Sequence, residues 1–264
     1  MSSFTAEDVQ ALRQATGAGM MDAKKALTEN NGDHDAAAKW LREQGLVKAA
    51  SRSDRENTQG AVAVASSGNA VAMVELKSET DFSAKGEDFV AAVSALAESV
   101  AAGGPEAVSE HADAVDQMKI TKKENIEIGK VVYWDVAEGN VVDTYLHVQD
   151  GRGVNAVLVE LAGGTTELAH DLAVHIAFTK PEYLTRDDVP AAEVEAERQT
   201  LTDITKAEGK PENALEKIVE GRLTGWFKER VLLEQNFVRD EKQTITQLLG
   251  DATLVRYDQI VIGG

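Results

Sequence analysis

The stretch GAVAVASSGNAVAMVEL, Gly60 to Leu76, decides the fold of this chain. Apolar residues recur along both halves with the two-residue period of a half-buried strand. The central SGN places turn-forming residues between the two runs, which is typical of a β-hairpin. An antiparallel sheet is therefore predicted to begin at Gly60.

An amphipathic helix is predicted after this hairpin. Phe89, Val93, Leu96 and Val100 recur at a spacing that puts them on one helical face. A helix that packs this face on an antiparallel sheet forms an α+β lobe. We predict that this first lobe spans residues 60–128.

The second half of the chain repeats the same plan. MVEL at Met73–Leu76 returns as LVEL at Leu158–Leu161, and in both places a polar junction and a helix follow the strand. Three further strands are predicted within residues 129–161, and the segments TITQLLG and ATLVRYDQIVI predict a short helix and a strand that could complete the second sheet. The second lobe is predicted over residues 129–264, including a charged helical hairpin at about 190–232.

Three short helices are predicted ahead of the lobes, in residues 1–46. Helical spacing places Met20 on the inner face of the second helix and Met21 on its outer face. So small a bundle has a thin core, which indicates an appended recognition module. The polar residues 47–59 are predicted to form a linker. The predicted fold class is α+β, with a three-helix module followed by two related lobes of antiparallel sheet with helices.

Composition restricts the classes of function. The 264 residues are 43% hydrophobic, with a formal net charge of -18, a pI near 4.7 and no cysteine. The negative charge repels phosphate backbones, so no nucleic-acid partner is expected, and the lack of cysteine excludes disulfides and thiol catalysis. Because no apolar run has the length of a membrane span and MSSFTAEDVQ lacks a leader pattern, we expect a cytoplasmic protein with no membrane partner.

A search for catalytic and ligand-binding motifs predicts no catalytic residue, no metal site and no cofactor. His170 and His175 are five residues apart, which misses the spacing of a helical metal pair. His175 lies on an apolar face and is expected to be a core histidine, and His147 is expected to face solvent near a strand end. Neither GK dipeptide stands in a phosphate-binding loop. A function in binding is therefore favoured.

Phe82, in ETDFSAKGEDF, is a large aromatic at a junction that should be exposed. If Ser83 caps the following helix, the position that would complete a hydrophobic staple is Glu87, so a staple does not explain the aromatic. An early helix start could bury Phe82 near Phe89. In the repeat, however, Glu167 occupies the equivalent position, so a lobe can fold without an aromatic there. The residues alone leave burial and functional exposure equally open.

Several segments resemble bacterial elongation factor Ts over nearly the whole chain. LRQATGAGMMDAKKALTENNGD (12–33) is similar to the N-terminal module of that family, and TDFSAKGEDF (80–89) to its TDFVAKN-type stretch. GKPENALEKIVEGRL and LLEQNFV in the C-terminal half also match. The resemblance implies a ubiquitin-associated-like N-terminal module. It also implies a non-enzymatic exchange factor that binds the translational GTPase elongation factor Tu, in its GDP and nucleotide-free forms, and accelerates release of GDP.

The resemblance implies that the TDF stretch is a wedge, which dislodges Mg²⁺ and the phosphate-binding elements of the partner. The corresponding residues are Thr80, Asp81, Phe82 and Ser83. Ser83 stands where the family usually has valine, so the chain departs from the family pattern beside the proposed wedge.

The resemblance also implies contacts of other residues with the partner. Arg13, Met20 and Met21 would dock on the GTPase domain, and His147 would occupy a partner-facing strand position. The helical hairpin could mediate a homodimer within the complex or only touch the partner.

Two alternative functions stay open on the residues alone. One is an acidic scaffold that uses the N-terminal bundle and the helical hairpin for assembly. The other is a hydrolase whose site the motifs do not reveal. Release of GDP from elongation factor Tu discriminates both from an exchange factor.

Overall fold

A computed structural model of the chain describes residues 4–263, which divide into two compact units. Within this range, the first unit contains residues 4–135, 148–155 and 260–263, and the second contains 136–147 and 156–259. Residues 1–3 of the predicted N-terminal module and residue 264 of the predicted second lobe lie outside the described part. None of the helices described is long and apolar enough to cross a membrane.

The N-terminal module folds as three helices, as predicted. They are α1 (Ala6–Thr16), α2 (Met20–Glu29) and α3 (His34–Ala50). Thr5 and Asp8 form a capping box that starts α1, and Gly17 ends it in the left-handed conformation, with φ of 69°. The buried residues form one small core: Val9, Leu12, Ala23, Ala26, Leu27 and Ala37.

The first lobe has a three-stranded sheet in the order β1-β2-β3. The strands are β1 (Gln59–Ser67), β2 (Ala70–Ser78) and β3 (Glu127–Asp135), and the helices are α4 (Asp81–Ala84), α5 (Glu87–Gly103) and α6 (Ala112–Lys122), with a 3₁₀ turn at Pro105–His111. The predicted hairpin is confirmed, since β1 and β2 pair antiparallel from Gln59 opposite Ser78 to Ser67 opposite Ala70. The predicted face of α5 is also confirmed, because its four apolar residues pack in the core with Leu76.

The second lobe has a three-stranded sheet in the order β4-β5-β8. In chain order its elements are β4 (Asn140–Gln149), β5 (Arg152–Ala162), α7 (Thr166–Thr179), α8 (Ala191–Ala207), α9 (Glu212–Arg230), β6 (Asn236–Phe237), β7 (Asp240–Thr244), α10 (Ile245–Leu249) and β8 (Thr253–Val261). The prediction that the last strand completes this sheet is confirmed. The repeated tetrapeptides lie on β2 and β5, the central strands of the two sheets, so the lobes are related as predicted.

The predicted helical hairpin is formed by α8 and α9. Val194 and Leu201 of α8 pack against an apolar cluster that contains Leu223 and Phe227 of α9. Further along α8, Ile204 is 45% exposed, whereas Thr205 is fully buried. Arg222 of α9 donates a hydrogen bond to the Thr205 hydroxyl at 3.2 Å. The two helices are therefore joined through this polar contact as well as through apolar ones.

Two predicted boundaries are wrong. Residues 129–135 were assigned to the second lobe, yet they lie on β3, which pairs with β2 and places Trp134 opposite Val71. The predicted linker at 47–59 begins too early, because α3 continues through residue 46 and ends at Ala50. In both places the local pattern is compatible with either assignment, and pairing or packing with a distant segment decides between them.

Candidate partner-binding surfaces

The predicted wedge is a single helical turn, α4, between β2 and α5. Thr80 caps this turn, and its hydroxyl accepts a hydrogen bond from the backbone N–H of Ser83 at 3.2 Å. Because successive residues of a helix point about 100° apart, Ser83 and Ala84 are buried while Asp81 and Phe82 face outward. Thr80 therefore caps α4, and Gly86 occupies the cap position of α5, so Ser83 does not cap the helix that follows.

Phe82 is exposed rather than buried. Its exposed fraction is 86%, although Phe89, seven residues later, is fully buried. The alternative in which an early helix start packs Phe82 against the core is therefore wrong. A large apolar side chain held out from the surface has the character of an interface anchor.

Glu124 holds the inner side of the turn. One carboxylate oxygen accepts hydrogen bonds from the Thr80 hydroxyl at 2.7 Å and from the Ser83 hydroxyl at 2.6 Å, and the other accepts from the Thr80 backbone N–H at 3.2 Å. Ser83 is only 6% exposed. The Ser83 side chain is therefore directed into the protein.

Lys85 holds the outer side of the turn. Its Nζ lies 2.7 Å from Oδ2 of Asp81 and 3.1 Å from Oδ2 of Asp150, which lies in the β4–β5 connection. The hydrogen bond and the charge of Lys85 hold the pKa of Asp81 below its ordinary value. Hydrogen bonds to Asp81 and Asp150 raise the pKa of Lys85. The ion pairs link the turn to a second segment of the first unit.

Both methionines of the N-terminal module are exposed. Met21 is 76% exposed, as its predicted outer position requires, but Met20 is 51% exposed, so the prediction that it packs inside is wrong. Both residues open α2 directly after Gly19. Only Ala23, Ala26 and Leu27, further along α2, reach the core. Arg13, on α1, is exposed as well.

An open cavity of about 810 Å³ lies beside these residues, between the N-terminal helices and α6. Arg13 and Met20 line it, and Asp22 is the one carboxylate that the described residues contribute to the lining. The lining contains six cationic side chains: Arg13, Lys25, Arg42, Lys48, Arg52 and Lys123. In a chain with a net charge of -18, this concentration of positive charge favours an acidic surface as the partner.

His147 lies on β4 in the second unit and is exposed, which confirms that it faces solvent. The ring of Tyr145 stacks with the imidazole, with centroids 6.5 Å apart, and its hydroxyl is 3.4 Å from Nδ1. The neighbouring Leu146 is 38% exposed. Because side chains alternate along a strand, Tyr145 and His147 share one face of β4 and Leu146 points to the other.

His175 is a core histidine, as predicted. The side chain is fully buried, its Nε2 lies 2.9 Å from Oε1 of Gln235, and its Nδ1 accepts a hydrogen bond from Val238 N–H at 3.3 Å. Burial lowers the pKa of the imidazole. In the part of the chain that the structure describes, no three His, Asp or Glu side chains are arranged to hold a metal ion.

Sequence reasoning missed two features. Glu124 was not singled out, and no local signal could have found it, because its partners lie more than forty residues away. Phe178, near the end of α7, was also missed, although it is 78% exposed. It follows Ile176 by two positions and so falls off the apolar face of the helix, which is a signal that the sequence does carry.

The fold and these surfaces define an α+β protein of the partner-binding class. Tethered, exposed aromatic and methionine side chains are of the kind that protein–protein interfaces bury.

The comparisons with known proteins identify the family. The chain matches the family Elongation factor TS over residues 79–263. Elongation factor Ts of Deinococcus radiodurans is 42% identical over 267 residues, which cover 97% of this chain and 99% of that protein. The protein of that name from Renibacterium salmoninarum is 44% identical (96% and 95% covered), and that from Cutibacterium acnes is 43% identical (99% and 99% covered). The chain therefore belongs to the elongation factor Ts family, and its role lies in the elongation stage of protein synthesis.

Proposed function

We propose that this protein is a guanine nucleotide exchange factor for the translational GTPase elongation factor Tu. It binds the GDP form, displaces Mg²⁺ and the phosphate-binding contacts, and leaves when GTP binds again. The observation that carries this proposal is Phe82, which is 86% exposed on a turn tethered from both sides. Membership of the elongation factor Ts family supports the choice of a translational partner.

The free energy for exchange comes from burial of Phe82 in the partner. The ring enters a pocket that exists only when the GTPase has been rearranged from its Mg²⁺·GDP form. Burying an exposed phenylalanine stabilises that rearranged state by about 1.5–3 kcal/mol. This gain offsets the Mg²⁺ and phosphate contacts that the GTPase loses.

Reciprocal coupling explains how the protein is released. If the protein weakens the affinity for nucleotide by some factor, nucleotide weakens the affinity for the protein by the same factor. A coupling of about 3 kcal/mol corresponds to about 150-fold in affinity. Binding of GTP therefore drives dissociation, and the cycle requires no covalent step by this chain.

Asp81 and Thr80 act by orienting the turn. The Asp81 carboxylate is paired with Lys85 at 2.7 Å, and the Thr80 hydroxyl with Glu124 at 2.7 Å. Because both groups already have partners within the protein, displacement of Mg²⁺ is assigned to the intrusion of Phe82 rather than to direct ligation by Asp81.

Docking on the GTPase domain is assigned to Arg13, Met20 and Met21. Both methionines present apolar surface next to a cationic cavity, so the contact combines an apolar anchor with charge complementarity to an acidic surface. His147, stacked with Tyr145, supplies a second contact from the other unit.

Release of a fluorescent GDP analogue from elongation factor Tu tests this proposal. The GTPase is loaded with the analogue and Mg²⁺, then mixed in a stopped-flow instrument with excess unlabelled GDP and increasing amounts of this protein. We expect a release rate that rises and saturates with the concentration of this protein. Release at the intrinsic rate at every concentration would refute the proposal.

A further inference from the structure

We infer that Glu124 is a positioning residue for exchange: its carboxylate fixes the α4 turn in the orientation that presents Phe82, and Ser83 is part of this clamp. The inference rests on the proposed function of Phe82. It assigns a role to Glu124, which lies outside the TDF stretch. It also assigns to Ser83 a role in positioning the turn rather than in contacting the partner.

The α4 turn cannot hold its own shape. It has only four residues, and a helix of this length is not stable without support from tertiary contacts. The Phe82 ring is almost fully exposed, so its own packing does not fix its direction. The direction of the ring therefore depends on the residues that flank it.

Glu124 binds the residues on both sides of Phe82. Thr80 precedes the ring and gives the carboxylate two hydrogen bonds, and Ser83 follows it and gives a third, at 2.6 Å. Thr80 and Ser83 are also joined to each other by the helix cap. The three residues form a closed ring of hydrogen bonds around the base of the turn, and bonds to a charged acceptor are the stronger kind.

The backbone presents Glu124 to the turn through an uncommon conformation. Lys123 ends α6 with φ of 59°, in the left-handed region that residues other than glycine seldom adopt. Asn125, the residue after Glu124, is buried and donates its backbone N–H to the Glu79 carboxylate at 2.6 Å. The segment after α6 therefore holds two consecutive residues, Glu79 and Thr80, at the start of the turn.

The clamp gives the buried hydroxyl of Ser83 its partner. A serine hydroxyl that is 6% exposed needs a hydrogen-bond partner, and Glu124 provides it. A valine at position 83 could pack in the same place but could not bond to the carboxylate. Ser83 therefore couples the wedge to Glu124 and does not extend the apolar surface of the wedge.

The test is the concentration dependence of GDP release from elongation factor Tu, with Glu124→Ala, Glu124→Gln and Ser83→Ala. Loss of one hydrogen bond to a charged group changes an equilibrium by about 10- to 150-fold. We expect Glu124→Ala, which loses all three hydrogen bonds, to lower the saturating release rate at least about tenfold, with Ser83→Ala and Glu124→Gln lowering it less. The half-saturating concentration should stay within about twofold, because the docking surface is unchanged. Glu110→Ala, at an exposed carboxylate of the same unit, is the matched control.

A purely structural role predicts a different result. Partial unfolding of a variant reduces its active concentration, which shifts the half-saturating concentration and leaves the saturating rate unchanged. In a Phe82→Ala background, Glu124→Ala should have no further effect on the saturating rate, because the clamp acts through the ring.

The outcomes separate this inference from the proposed function. Full activity of Phe82→Ala would show that the ring does not act as a wedge, and would refute the proposed role of Phe82. A slow Phe82→Ala protein together with wild-type saturating rates for the folded Glu124 and Ser83 variants would overturn the clamp alone. If Glu124→Ala does not fold, Glu124→Gln and Ser83→Ala decide the question by the same criterion.

Discussion

Lys85 and Asp81 form an ion pair across one turn of helix, with Nζ and Oδ2 2.7 Å apart, and Lys85 also reaches Asp150 at 3.1 Å. The pair lies on the outer side of α4, opposite the hydrogen bonds of Glu124. The turn that carries Phe82 is therefore held on two sides by interactions of different kinds. The outer contacts are exposed and weakened by salt, whereas the inner ones involve a buried hydroxyl.

The first prediction concerns the pKa of Asp81. Lys85→Met keeps the length of the side chain and removes its charge, so the lowered pKa of Asp81 should rise towards the ordinary value of about 3.9. The stability that this pair contributes is present above that ordinary value and is lost as the pH falls through the lowered pKa. NMR titration of the Asp81 carboxyl measures the change.

Asp88 provides the control for that titration. Its pKa is lowered by Lys122, whose Nζ lies 2.9 Å from Oδ1, and should not respond to Lys85→Met. An unchanged Asp81 pKa in the variant would show that Lys85 does not hold this carboxylate in solution.

The second prediction concerns the pH dependence of folding. The buried His175 is neutral, with a lowered pKa, so its contribution to stability is present above the ordinary pKa of about 6.5. As the pH falls below that value, the unfolded state takes up the proton first. The free energy of unfolding then decreases by at most about 1.4 kcal/mol per pH unit, until the pH reaches the lowered pKa.

NMR of the imidazole and denaturant unfolding between pH 7.5 and 5 test this second prediction together. The His175 ring should remain the neutral tautomer that donates from Nε2 to Gln235. Unfolding of His175→Gln should depend less on pH than unfolding of wild type. An ordinary titration of His175 in the folded protein would contradict the prediction.

The third prediction concerns docking by the N-terminal module. Met21→Ala removes an exposed side chain that binding would bury, which is worth up to about 1.5–3 kcal/mol. We expect the half-saturating concentration in GDP release to rise about tenfold or more, with little change in the saturating rate. Val47→Ala, 67% exposed on α3, is the matched control. A Met21→Ala protein with wild-type concentration dependence would place docking elsewhere.

The local elements of the fold could be predicted from the sequence. The β1–β2 hairpin, the buried face of α5 and the repeat on the two central strands all follow from periodicity within a few residues. The assignment of β3 to the first sheet could not be predicted from the sequence, because VVYWDVAEGNVVDTYLHV has the pattern of a hairpin. Its first strand pairs with β2 from Asp135 opposite Ala70, a contact between residues far apart in the sequence.

For the candidate site, too, some features could be predicted from the sequence and others could not. Phe82 could be singled out, because the sister lobe has Glu167 at that position, but its exposure could not be decided. Whether Met20 is buried depends on how much of α2 the small core covers. Helical spacing alone does not predict this extent. The role of Ser83 depended on Glu124, whose position is set by the left-handed residue at the end of α6.

The central claim is that Phe82 drives exchange, and the saturating rate of GDP release from elongation factor Tu tests it most directly. Phe82→Ala is compared with Phe178→Ala, which removes a ring of similar exposure, 78% against 86%, from the second unit. Loss of about 1.5–3 kcal/mol of burial predicts a saturating rate roughly ten- to hundredfold lower for Phe82→Ala. Phe178→Ala should retain the wild-type rate, and both should unfold at the wild-type temperature. A folded Phe82→Ala protein that releases GDP as fast as wild type would contradict the account.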